Sequence, residues 1–253
     1  MVLKLYAAPQ STASESLRVA QVLHEKNVPF EFIPIDLRAK EQKQAQHTEK
    51  NPFGQVPYID DDGFVLYESR AIGRYIALKC AGQGTAGLIP DQSDIKALAL
   101  FEQAASSEFA NFEIHAAKIA YEKLFKVRLG FPMNEEVVKG AIDQLNVKLD
   151  VYEGILGKQA YLAGSELTLA DLYHIPFGTR LYRAGLGDLI DSRPNVAKWF
   201  NALLSRPSWV AIKDPRLLQE EGSVETERRH SLHFSMSAWE YLCNCVIQGQ
   251  GSV

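Results

Sequence analysis

Cysteine is scarce in this chain, with three among 253 residues. An odd, small number sets no disulfide framework, so the fold must rest on its own core, and a reducing compartment is expected. Long apolar runs are missing too: nothing approaches the ~20 residues of a membrane-spanning helix. Positive charge is not in excess, since 27 Lys and Arg face 31 Asp and Glu for a net charge of −4. With no basic cluster, the electrostatic footprint of a nucleic-acid or anionic-membrane partner is absent. Met1 leads straight into a strand-like segment without the layout of a signal peptide. A cytoplasmic protein with neither nucleic acid nor membrane as partner is expected. Cys243-Asn244-Cys245 lacks the second pair that a soft-metal site needs, so no metal is expected.

What is present is an ordinary globular composition, 46% hydrophobic and 23% charged, long enough for one large or two modest domains. Residues 1–80 alternate strand and helix. Residues 2–7 are apolar and extended, Leu17, Ala20 and Leu23 step as a helix, and residues 30–35 form a second apolar run. Residues 40–50 are polar and loosely helical. Tyr58-Ile59 and Phe64-Val65-Leu66 flank Asp60-Asp61-Asp62-Gly63, whose Asp-Gly ending signals a hairpin. A helix over 68–79 follows. The glycine-rich residues 81–93 read as a linker.

Beyond Asp94 strand signals stop. Phe101, Ala105, Phe109, Phe112, Ala116 and Ile119 predict one apolar helix face. Gly130-Phe131-Pro132 breaks the chain. Val138, Ile142, Leu145, Leu149, Tyr152 and Leu156 predict a long bundle-type helix. Thr168-Leu169-Ala170-Asp171 is a capping box, with Leu167 and Leu172 placed for a hydrophobic staple. Asp171, Tyr173 and His174 read as structural. Val196, Trp199, Phe200, Leu203 and Leu204 mark a last amphipathic helix over the all-helical region 94–214. Residues 215–253 join a charged linker to an apolar cluster at Trp239, Tyr241 and Leu242, and form a tail expected to be dispensable for folding or to act as a lid.

Two motifs carry the chemistry. Asn51-Pro52-Phe53-Gly54-Gln55-Val56-Pro57-Tyr58 ends in a proline that removes a backbone donor and biases Val56 toward extended geometry. Tyr67-Glu68-Ser69-Arg70-Ala71-Ile72 opens a helix at Ser69, where unpaired N–H groups and the positive dipole end collect. A free backbone edge beside an anion-ready helix start suits a small peptide bearing a carboxylate.

The pair resembles the glutathione-binding signature of glutathione transferases, and its spelling is closest to the phi class. The resemblance covers roughly residues 2–213. It implies an α/β, thioredoxin-like N-terminal domain followed by an all-α C-terminal helical bundle. It implies glutathione as co-substrate, small hydrophobic electrophiles as partners and a homodimer. The activity implied is conjugation of glutathione in detoxification, with peroxide reduction as a side activity. The alternative is a non-catalytic ligand-binding or regulatory protein on the same fold.

Site residues follow from the same resemblance. Only a thiolate attacks, and a free thiol has a pKa of about 8.5. The phi-class serine after the first strand donates a hydrogen bond to that sulfur, and Ser11 in Pro9-Gln10-Ser11-Thr12 resembles it. Two extra residues before Val19 leave Thr12 and Ser14 as alternates. Mixed-disulfide classes are disfavoured because no cysteine precedes Cys80. Gln42 and Lys43 resemble the contacts to the glycyl carboxylate. Val56, before a Pro57 that is cis in the family, should pair with the cysteinyl backbone. Gln55, Glu68 and Ser69 should hold the γ-glutamyl end. Phe112, His115 and Ile119 are the candidates for the electrophile pocket.

Overall fold

A computed structural model describes residues 2–8 and 14–213. Ser11, Thr12 and the tail 215–253 therefore lie outside the described residues. A four-stranded sheet in the order β2-β1-β3-β4 organises the first half. It consists of β1 (Leu3–Ala7), β2 (Phe30–Pro34), β3 (Tyr58–Asp61) and β4 (Phe64–Tyr67). β1 and β2 run parallel, joined by helix α1 (Ser14–Glu25), while β3 pairs antiparallel to β1 and to β4. The β3–β4 hairpin turns as its sequence requires. Asp62 and Gly63 both take positive φ, and the Gly63 N–H donates to Asp60 at 2.8 Å. The polar stretch between β2 and β3 holds a short 3-10 turn, Glu41–Lys43, and one helical turn, α2 (Ala45–Thr48).

Helix α3 (Ser69–Lys79) completes this half, and helices make up the rest. They are α4 (Ile95–Ser107), α5 (Ile114–Ala120), α6 (Glu135–Leu156), α7 (Leu169–Leu172), α8 (Ile175–Arg183), α9 (Asp188–Asp191), α10 (Pro194–Leu204) and α11 (Pro207–Ile212). Both halves share one contiguous core that joins Leu5, Ile59 and Ile72 to Phe101, Leu145 and Phe200. All the described residues belong to one compact unit.

Two local readings of the sequence are corrected by the backbone. The expected continuous apolar face from Phe101 to Ile119 is interrupted by a π turn, Glu108–Glu113. The wider turn rotates the following residues, so Phe109 is 54% exposed and Glu108 and Glu113 are buried instead. Helix α1 is also more than amphipathic. It packs on α3, α8 and α11, and its polar residues Ser16, Arg18, Gln21 and Glu25 are buried along with Leu17 and Val19. The capping box is present as read, with Thr168 and Asp171 bonding reciprocally at the start of α7. Helix α8 can approach α10 because residue 178 is glycine; a Cβ there would lie 2.3 Å from the Phe200 ring.

Candidate active site

Strand register brings the motif residues to one edge of the sheet. Tyr58 pairs with Tyr67, so the chain before β3 and the chain after β4 leave the hairpin on the same side. Tyr6 pairs with Tyr58 and Ala7 with Pro34, so β1 and β2 end at that edge too. Residues 36–43, 54–57 and 68–69, with Ala8 at the end of β1, thus all emerge beyond one end of four strands. Segments more than sixty residues apart in the sequence become neighbours through pairing alone.

The Gln55–Pro57 loop is held from below. Gly54 has φ +59, and a Cβ there would meet the Gln42 carbonyl at 2.8 Å, so only glycine fits between the loop and the 3-10 turn. The carbonyl of Gln55 accepts from Asn51 Nδ2 at 2.9 Å and lies 2.7 Å from His47 Nε2. Asn51 Oδ1 meanwhile accepts the Phe53 N–H at 3.1 Å. His47 and Asn51 are buried positioning residues that the sequence reading missed. Asn51 stood in the motif itself, whereas nothing in the polar stretch 40–50 marked His47. The Val56–Pro57 bond is cis, and Val56 lies before the first ladder pair of β3. The Gln55 side chain is exposed and Val56 half-buried. Lys43, also exposed, reaches the Phe53 carbonyl at 3.1 Å, and Gln42 turns its Oε1 into a buried position without a hydrogen-bond partner. Gln42 and Lys43 are therefore brought against the loop.

Ser69 opens α3 at this edge, and the residue before it, Glu68, is exposed with φ 69 and ψ 107. A positive φ at a non-glycine residue costs on the order of 1–3 kcal/mol and is held only by surrounding structure. Beneath Ser69 lies fully buried Arg18, whose Nη1 donates to Ser69 Oγ at 2.8 Å. A guanidinium only donates. It occupies a lone pair of the hydroxyl and leaves the Ser69 proton to be given to an acceptor. Arg18 is itself paired with Glu113, and Arg70 donates to Glu108 and Glu113, each at 2.5 Å. Burial pushes the Glu108 carboxyl up to about 7 despite Arg70 and Arg18. Against the same desolvation, those two arginines hold Glu113 below the ordinary carboxylate range. The π turn is what delivers both acids to this cluster.

Ser14, the first residue of α1, is buried, and its Oγ accepts from Arg180 Nε at 3.3 Å. Its hydroxyl therefore faces the helical half. The electrophile candidates need correction. Phe112 and Ile119 are 2% and 0% exposed, and the Phe112 ring packs 4.8 Å from that of His174. The periodicity that suggested them was core periodicity, so neither lines an open pocket. His115 is half-buried, and burial together with Lys118 and Lys148 lowers its pKa. One open space lies elsewhere: a cavity of about 410 Å³ lined by Leu17, Arg180, Tyr182, Arg183, Leu204 and Trp209 among others. No group of three or more His, Cys, Asp or Glu among the described residues is placed to hold a metal ion. None of the described helices is long and apolar enough to cross a membrane.

Comparison with known proteins identifies the lineage. Family models described as the glutathione S-transferase N-terminal and C-terminal domains match residues 1–78 and 109–207. The chain belongs to the glutathione S-transferase family. Glutathione S-transferase PM239X14 of Arabidopsis thaliana is 42% identical over 206 residues, covering 81% of this chain and 92% of that protein. The crystal structure of glutathione transferase F7 from Populus trichocarpa matches with a TM-score of 0.78 at 33% identity, over 88% of this chain and 100% of that one. Glutathione S-transferase I from maize, solved in complex with an atrazine glutathione conjugate, matches with a TM-score of 0.77 at 31% identity. It spans 86% of this chain and 98% of that one. Such relatives place the transferase in the phi class, with the family's N-terminal sheet domain and C-terminal helical domain.

Proposed function

We propose that this transferase joins reduced glutathione to small apolar electrophiles in the cytoplasm, with Ser11 donating the hydrogen bond that holds the thiolate. The observation that carries the reading is the Arg18–Ser69 pair. It sets Ser69 as a donor at a helix N-terminus, the arrangement that a ligand carboxylate requires. In this reading Ser69, Gln55 and Glu68 hold the γ-glutamyl end, Val56 pairs with the cysteinyl backbone ahead of Pro57, and Lys43 and Gln42 attend the glycyl carboxylate. Glu68 contributes attraction to the ammonium from its exposed side chain. The engagement of Ser14 by Arg180 supports leaving the sulfur to Ser11 or Thr12. The functional units are 1–80 for glutathione and 94–214 for the electrophile, joined by 81–93, and the active form is a homodimer. Peroxide reduction is a side activity of the same thiolate.

Lowering a thiol pKa by ~2 units needs about 2.7 kcal/mol of preference for the charged form. A hydroxyl donor and a helix dipole supply interactions of that order. A conjugation assay with 1-chloro-2,4-dinitrobenzene tests the reading. Ser11→Ala is expected to cut turnover strongly while glutathione affinity stays within a few-fold. If Ser11→Ala keeps full rate and Thr12→Ala or Ser14→Ala loses it, the role moves to that residue. Retention on immobilised glutathione with no turnover on several electrophiles would leave a non-catalytic binder.

A further inference from the structure

The cavity beside α1 has a chemical bias beyond simple apolarity. Leu17, Tyr182, Leu204 and Trp209 supply apolar and aromatic walls, and a volume of about 410 Å³ accommodates a small substituted ring. Its charged lining is all of one sign: Arg180, Arg183 and Lys213. Arg183 and Lys213 are exposed, but Arg180 is only 4% exposed. Its guanidinium is oriented by Ser14 at Nε and lies 5.5 Å over the Phe125 ring, while Nη2 is buried without a hydrogen-bond partner.

An unpartnered guanidinium edge in a buried position is costly, because desolvation without a hydrogen bond is penalised by several kcal/mol for a charged group. Burial and the neighbouring cations Arg183 and Arg128 lower the Arg180 pKa to about 10, so it still carries its charge near neutrality. The field of Glu15 reaches Arg180, yet no hydrogen bond joins the two, and burial raises the Glu15 carboxyl above its ordinary range. The lining of the cavity supplies no carboxylate, and Arg180, carried by α8 and tied through Nε to Ser14 at the start of α1, is the buried cation beside it.

Resting on the function proposed above, we infer that this cavity receives the electrophile and selects aromatic electrophiles that carry a carboxylate, with Arg180 as the specificity-determining contact. In the reaction the glutathione sulfur attacks the ring carbon bearing chlorine. A C–S bond forms, the C–Cl bond breaks, chloride departs with the bonding pair, and the thiol proton goes to solvent. The carboxylate does not react. It anchors the ring through a charge-assisted, bidentate-capable contact.

The test compares 4-chloro-3,5-dinitrobenzoate with its methyl ester, each rate divided by that of the uncatalysed reaction with glutathione. The full chain is expected to prefer the acid, and the ratio of kcat/KM values, acid over ester, should fall roughly 10- to 100-fold in Arg180→Met, as loss of a charged hydrogen bond implies. Arg180→Lys should keep most of the preference, and thermal melts check that both variants fold. An acid-to-ester ratio that is the same in Arg180→Met and the wild type overturns the proposal, as does a wild-type preference for the ester. If neither compound turns over, the enzymatic reading falls by itself. The selectivity is then read by calorimetry from the two preformed glutathione conjugates. Tighter binding of the acid conjugate that Arg180→Met abolishes supports the anion site, and equal binding overturns it.

Discussion

Single side chains in this transferase owe their roles to what lies behind them. Ser69 has no distinguishing chemistry until Arg18 occupies its lone pair from the core side. Ser69→Ala is expected to weaken glutathione binding by roughly 10- to 100-fold with a smaller effect on the chemical step, as loss of a charge-assisted hydrogen bond predicts. Isothermal titration measures it directly, and an unchanged dissociation constant would remove Ser69 from the site. His174 illustrates the opposite case, a titratable residue kept silent. Its Nδ1 lies 2.8 Å from the Ala170 carbonyl and must carry the proton, which leaves Nε2 to accept from the Tyr152 hydroxyl at 3.2 Å. Burial pushes its pKa down to about 3. Below about pH 6.5 the unfolded chain protonates this imidazole and the folded one does not, so its contribution to stability is lost as pH falls from there. Glu108 acts with the opposite sign. Raised to about 7, it binds its proton more tightly in the folded state, so its contribution declines as pH rises from about 4.5 to 7. His174→Gln should melt lower at neutral pH, yet its melting temperature should fall less than that of the wild type between pH 6.5 and 5. Parallel curves would contradict the assignment.

At the scale of elements, irregular turns do what regular helices would not. A straight helix through 101–119 would send Phe109 into the core, whereas the π turn turns it out and brings Glu108 and Glu113 inward to Arg18 and Arg70. The start of α7 is equally specific. Asp171 accepts from the Thr168 backbone and hydroxyl, from the Leu162 N–H at 2.9 Å and from Trp199 Nε1 at 3.0 Å. The capping box was legible in the spelling, but its two further donors were not, since Leu162 is brought in by the fold of the preceding loop and Trp199 arrives only when α10 docks. A cap alone is worth about 0.5–2 kcal/mol. Because Asp171→Ala also strands buried donors, a loss of about 3–5 kcal/mol is expected in urea unfolding, against a smaller loss for Asp171→Asn. A loss confined to the cap value would show that these donors find other partners.

For the molecule as a whole, charge contacts tie the sheet half to the helical half. Glu25, the last residue of α1, accepts from Thr85 in the segment after α3 and from Arg206 and Ser208 at the start of α11, where the helix dipole also favours an anion. Although burial alone would raise its carboxyl, these donors hold it below its ordinary range, so its stabilisation is present above the unfolded pKa and fades under acid. Glu25→Ala is expected to cost about 2–4 kcal/mol, less than a wholly buried pair because Arg206 keeps 25% of its side chain exposed. Chemical denaturation at pH 7 reads this, and a change below 1 kcal/mol would count against the tie. Association belongs to this scale as well. Phe53 and Phe64 on the sheet half and Ile95 and Leu100 on α4 are each about half exposed or more. Light scattering at micromolar concentration is expected to report twice the 28.2 kDa chain mass, and a single-chain mass would refute the homodimer.

The sequence alone determined the elements whose causes are local. Alternating strand and helix up to Lys79, the Asp62-Gly63 hairpin, the Thr168–Asp171 cap and the Gln55–Pro57 and Glu68–Ser69 motifs depend on neighbours a few residues apart, and each was visible there. Which apolar residues face a pocket and which face the core was not visible, because Phe112 and Ile119 show the same spacing in either case. Burial of the polar side of α1, the support of Gln55 by His47 and Asn51, and the buried, unpartnered Nη2 of Arg180 depend on segments joined only by sheet pairing and helix docking. Those were decided by the tertiary structure, since a buried charge or donor takes its meaning from the groups that surround it in space.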